Sequence, residues 1–155
     1  MQISLLQFIW KHCGVSDERK TNNTTCVCVY RPPPSARNKL TTDDFLDVFG
    51  KFLSGEDIPP ENVLVVGDFN FQMAESNDPD TRRFVLLNSQ LGLEQFVTQP
   101  LHVKGHILDI VLSRARKLVK SIAVENMHLS DHFFLMIGID LSRPQVPRKV
   151  VKSEM

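Results

Sequence analysis

The sequence lacks an excess of charge of either sign. Its 155 residues carry 18 Lys and Arg against 18 Asp and Glu, a formal net charge of zero. Global electrostatics therefore do not mark it as a nucleic-acid binder, and any such contact must come from a local patch. Cysteine is scarce as well. Cys13, Cys26 and Cys28 make an odd count with no disulfide framework. Cys26 and Cys28, two apart on an expected strand, read as small buried hydrophobes in a reducing compartment, with a metal pair as the weaker reading. Long hydrophobic runs are missing too. The apolar stretch from Ile3 to Trp10 is short, is interrupted by Gln7 and follows no basic region, so neither a membrane span nor a signal peptide is expected. There is no internal repeat.

What is present reads as one ordinary globular domain. Hydrophobic content of 42% against 23% charged residues excludes a disordered chain, and the length allows a sizeable core. Residues 1–23 are a leader of uncertain structure, ending in a polar joint from residue 11. Residues 24–30 alternate like a strand and stop at Pro32-Pro33-Pro34. Thr41 or Thr42 with Asp43 and Asp44 opens a helix, whose apolar residues Phe45, Leu46, Val48, Phe49, Phe52 and Leu53 keep helical spacing up to Gly55. A buried strand over 62–66 follows, then a polar loop over 72–80. Asp80 or Thr81 is expected to cap a second helix, with Phe84, Leu87 and Leu91 on one face and Gly92 ending it. Strands are expected over 94–98, 107–112, 118–124 and 133–141. A basic, Pro-containing tail over 142–155 reads as disordered. The order β-α-β-α-β-β-β-β fits an α/β fold, part of a two-sheet α/β sandwich.

The chemistry gathers at strand ends. Gly67-Asp68-Phe69-Asn70 closes the run Val63-Leu64-Val65-Val66 and delivers a carboxylate and a carboxamide, two residues apart, to the rim of a sheet. One can activate or orient a nucleophile, and the other can donate to a non-bridging phosphate oxygen. The bland reading is turn chemistry, since Asp and Asn satisfy their own backbone. Asp109 stands inside the apolar run Leu108 to Leu112, where an unpaired charge is costly. Ser130-Asp131-His132 opens the last apolar run. A buried Asp, a strand-edge His and a strand-end Asp/Asn pair form an acid–base constellation. His102 and His106 lie around Lys104-Gly105 in an expected loop and do not read as a helical zinc pair; with His128 they are given surface or supporting roles. The candidate basic patch is Arg114, Arg116, Lys117 and Lys120 with Lys104, for which a solvated hairpin is the commoner explanation.

These residues resemble the endonuclease/exonuclease/phosphatase superfamily, and within it the endonuclease domain of non-LTR (LINE-type) retrotransposons. The matching pieces run in family order: Val27-Cys28-Val29-Tyr30-Arg31-Pro32-Pro33, Val65-Val66-Gly67-Asp68-Phe69-Asn70, Gly105-His106-Ile107-Leu108-Asp109-Ile110-Val111-Leu112-Ser113 and Ser130-Asp131-His132. The likeness covers residues 24–141. It implies a divalent-metal-dependent DNA endonuclease in which Tyr30 contacts the scissile phosphate, and Asp68 and Asn70 position and activate the attacking water. Asp109 would hold the His132 imidazole in its working tautomer, His132 would contact the phosphate or developing oxyanion, and Asp131 would stand near the metal.

The resemblance also implies an Asn motif and a Glu motif, the Glu being the main Mg²⁺ ligand, on strands before Tyr30. Neither is found, and Glu18 sits in a charged, turn-like stretch. The chain is therefore read as the C-terminal part of such a domain without its N-terminal strands. Mg²⁺ or Mn²⁺ is the expected cofactor, with impaired binding, and the isolated chain is expected to have weak or no activity. DNA is the expected partner if the site is active, no membrane is expected, and an exposed apolar sheet is expected to invite self-association. The location implied is intracellular, and nuclear if the domain functions. The alternative is a non-catalytic remnant that acts as a binding module or has no selected function. A changed substrate, such as a sugar or lipid phosphate, fits the Tyr30-Arg31-Pro32-Pro33 and Leu108-Asp109 contexts less well.

Overall fold

The computed structural model describes residues 24–35, 39–56, 58, 61–74, 77–100, 107–126 and 133–140. The leader, the tail, Lys104, and the histidines and Asp131 discussed above lie outside these. The described elements are β1 (Thr25–Tyr30), α1 (Thr42–Leu53), β2 (Val63–Asp68), α2 (Pro79–Gln90), β3 (Glu94–Gln95), β4 (Asp109–Ser113), β5 (Val119–Glu125) and β6 (Phe134–Ile139). The first four strands form one sheet in the order β1-β2-β4-β3, and β5 pairs with β6 in a second. The α/β class and the element order follow the sequence reading. The strand over 94–98 shrinks to Glu94–Gln95.

Pleat alternation explains how the first sheet is covered. β1 and β2 run parallel around α1, and β2 runs antiparallel to β4. Val27, Val65 and Leu112 share one level, so with Val29, Val63 and Ile110 they make one face. That face joins the buried cluster containing Phe45 and Phe49 of α1 and Phe84 of α2. Five phenylalanines knit this side. Phe45 and Phe49 stack at 5.5 Å, Phe71 and Phe84 stack at 4.5 Å, and Phe69 meets Phe84 at 5.2 Å.

The opposite face carries Cys26, Cys28, Tyr30, Leu64, Val66, Asp68, Asp109, Val111 and Ser113. Leu64, Val111 and Ser113 are buried, while Cys28 and Tyr30 are exposed. The reading of both cysteines as buried is therefore corrected. Cys26 is only half-buried and Cys28 is exposed; among the described strands β1 lies at the edge of its sheet. Ile122, Val124, Leu135 and Ile137 of the second sheet pack against the core cluster. The outer residues of β6, Phe134 and Met136, are 54% and 41% exposed, apolar surface of the sort an unpaired sheet face leaves to solvent.

Helix starts and ends are set by local chemistry. Thr41 caps α1, its hydroxyl accepting from the Asp44 N–H at 3.1 Å. α2 begins earlier than the sequence reading placed it. Asp78, not Asp80 or Thr81, is the cap, and Pro79 occupies the first helical position, where its missing N–H costs nothing. The Asp78 carboxylate accepts from both the hydroxyl and the N–H of Thr81, at 2.6 and 2.7 Å. The hydroxyl first, and then the N–H, hold its pKa below the usual carboxylate value.

At the other ends of the helices the basic run has a structural task. Arg114 donates from Nη2 to the Leu53 carbonyl at 2.6 Å and from Nε to the Leu91 carbonyl at 3.0 Å. One guanidinium thus closes the C-termini of both helices, where carbonyls lack partners and the dipole favours a cation. Arg116 pairs with Glu94, and Lys120 with Asp140 at 2.8 Å. Arg114 is thus half-buried against the helix ends, while Arg116, Lys117 and Lys120 are exposed. Arg114→Met is expected to lower stability by about 2–4 kcal/mol, since two charge-assisted hydrogen bonds are lost at once, read as the shift of the urea midpoint.

Candidate active site

Three strands bring the site together. Tyr30 is the register partner of Asp68 across β1 and β2, and Asp68 is the partner of Asp109 across β2 and β4. The three side chains therefore stand in one row, on one face, at one level of the sheet, about 5 Å from strand to strand. Tyr30 ends β1, Asp68 ends β2 and Asp109 begins β4, so the row is the rim of the sheet. The apolar run around Asp109 predicts a place inside a strand. The residue lies at the strand's first position and is half-buried, because the ladder starts there and not at Ile107.

Gly67 allows the row to form. Its φ is +146°, and a Cβ built on it would lie 1.8 Å from the Val29 carbonyl oxygen. β1 and β2 can approach this closely only where that side chain is absent. Gly67 is thus a strand residue, and β2 continues through it to Asp68, two residues beyond the end the sequence suggested.

Asn70 reaches the site by a different route from the one the pleat implies. It lies past the strand with φ +50°, in the left-handed region that Asn tolerates. Its N–H donates to Asp68 Oδ1 at 3.0 Å, and its Nδ2 donates to the Arg31 carbonyl at 2.7 Å. The turn chemistry set against catalysis is therefore real: it ties the Asn70 N–H to the Asp68 carboxylate and the Asn70 carboxamide to the Arg31 carbonyl. Asp131 and His132 lie outside the described residues, as do Lys104 and the other histidines.

Asp68 and Asp109 are acidic residues directly opposite each other in the ladder. Their oxygen donors suit a hard divalent cation, which takes one or two protein carboxylates and keeps several waters. Among the described residues no group of three His, Cys, Asp or Glu side chains could hold a metal ion by itself. No helix among them is long and apolar enough to cross a membrane.

Sequence reasoning missed one residue of this region. Arg31 is 2% exposed and lies between the rings of Phe45 and Phe71, its guanidinium carbon 5.4 and 4.1 Å from their centroids. The available signal was a lone charge between a strand and a proline run.

Comparison with known proteins bears on the same residues. A family model described as endonuclease-reverse transcriptase matches residues 24–136, most of the chain. The solved endonuclease domain of TRAS1, a telomere-specific non-LTR retrotransposon, is similar with a TM-score of 0.64 at 17% identity, over 80% of this chain. This chain spans 60% of that domain's length. Among curated proteins nothing matches.

Proposed function

Because the chain belongs to the endonuclease-reverse transcriptase family, we propose that this retrotransposon-endonuclease-like domain is a divalent-metal-dependent phosphodiesterase module acting on DNA. The observation that carries the reading is the row Tyr30–Asp68–Asp109 at the rim of the sheet, with Asn70 tied to Asp68. Tyr30, 46% exposed, offers a phenolic hydroxyl to a phosphate oxygen. Asp68 accepts a proton from the attacking water and orients it, while Asn70 fixes that carboxylate through its N–H. Asp109 orients His132, and His132 donates to the phosphate or to the leaving oxyanion. Mg²⁺ or Mn²⁺, held in part by Asp131, would supply charge stabilisation on the phosphate when bound.

Nicking by this chain is expected to be slow, because the sequence before Tyr30 shows no match to the Glu motif that the resemblance implies as the main Mg²⁺ ligand. The test is nicking of supercoiled plasmid with Mg²⁺ or Mn²⁺, with His132→Ala as the control for contaminating nuclease. Slow, metal-dependent nicking that His132→Ala abolishes supports the reading. Nicking that persists undiminished in His132→Ala defeats it. A chain that binds DNA and never nicks it would favour the non-catalytic binding module. Location inside the cell, in the nucleus, belongs to the same proposal, as does self-association through the outer face of Phe134 and Met136.

A further inference from the structure

We infer that Arg31 is the positioning residue of the site: its buried guanidinium and its main chain hold the Asp68-Phe69-Asn70 turn in the shape the chemistry needs. Each residue of the turn touches Arg31. Its N–H donates to the Asp68 carbonyl at 2.8 Å. Its Nη1 donates to the carbonyls of Phe69 and Asn70, both at 3.2 Å, and its own carbonyl accepts from Asn70 Nδ2 at 2.7 Å. Nη2 donates to the Thr42 hydroxyl at 3.2 Å, and that hydroxyl donates to Asp80 Oδ2 at 2.5 Å. The turn is thereby fixed to the first residue of α1 and to the first turn of α2.

Packing alone does not explain a cation here. A guanidinium inside the core is costly, and burial lowers its pKa despite Asp80 and Asp78 nearby. Nε has no partner among the described residues. A methionine would fill the slot between Phe45 and Phe71 without that cost. What methionine cannot do is donate to two successive carbonyls and so stabilise a left-handed Asn70. The planar fork of arginine suits that task, and the point charge of lysine suits it less well.

The importance of Asn70 rests on the nuclease reading above, but the test reads geometry and needs no turnover. In the full ¹⁵N-labelled chain, Asn70 should show the strong intraresidue amide-to-Hα NOE of a positive φ and a protected amide. Arg31→Met is expected to abolish that NOE and to lower protection of the Asn70 amide on the order of tenfold or more, with the β2 and β4 amides of Val65 and Val111 unchanged. Arg31→Lys should recover part of the loss. Thr42→Val, a milder change that removes the Nη2 acceptor together with the hydroxyl's bond to Asp80, should give a smaller loss at the same residue. Asn70 signals that survive Arg31→Met would overturn the inference. So would losses shared equally by Val65 and Val111 in all three variants, which would make Arg31 a residue of folding alone. A wild-type chain that nicks no DNA yet loses the Asn70 signature in Arg31→Met would defeat the nuclease reading and leave the positioning role standing.

Discussion

Gly67→Ala is expected to cost about 3–5 kcal/mol of folding stability, among the largest effects a single methyl group can have. The atoms a new Cβ would meet are the main-chain oxygen, carbon and nitrogen of Val29, at 1.8, 2.8 and 3.0 Å. None can turn aside as a side chain would, so β1 and β2 must part at this level. The φ of +146° adds strain of its own for any L side chain. The next pair along the ladder is Tyr30 with Asp68, so the damage falls on the site as well as on the fold. Urea denaturation of the purified variant measures the loss. A change under about 1 kcal/mol would mean that the two strands do not meet as described.

Asp68→Asn is expected to lower the rate of metal-dependent plasmid nicking by about 10²–10⁴-fold, which for a slow enzyme is loss to background. The substitution isolates charge from structure. An asparagine side chain has the same shape, and its oxygen can still accept from the Asn70 N–H, so the turn survives. What disappears is the negative charge, and with it the ability to take a proton from water and to draw a cation to the rim. The urea midpoint should therefore stay near that of the wild type while the rate collapses. Equal rates for the two proteins would place the chemistry elsewhere.

How far the sequence revealed this arrangement depends on the range of each interaction. The strands and helices were legible because their signals are local: Val-rich runs, helical spacing of phenylalanines, and polar breaks. Their ends were less so. The α2 cap is Asp78 and not Asp80 or Thr81 because Pro79 is compatible with the first helical position, although a proline in the sequence suggests a loop. Asp68 and Asp109 were legible as chemistry, but not as register partners, since pairing between strands 41 residues apart leaves no mark on either segment. Gly67 reads as punctuation in the sequence, whereas its need arises from Val29 on another strand. Arg31 and Arg114 were equally hidden. One reaches the Asp68 turn and the other two helix ends, and only the packed chain shows that these cations face inward.

The central claim is that the level of Tyr30, Asp68 and Asp109 is where a divalent cation and a phosphodiester meet this domain. Paramagnetic broadening by Mn²⁺, in the ¹⁵N-labelled chain with a short DNA oligonucleotide present, tests it most directly. Broadening is predicted to appear first at the amides of Tyr30, Asp68, Asn70 and Asp109, and to weaken in Asp68→Asn. Broadening centred instead on the acidic helix starts, at Asp43, Asp44 and Asp80, with the rim of the sheet unaffected, would contradict it.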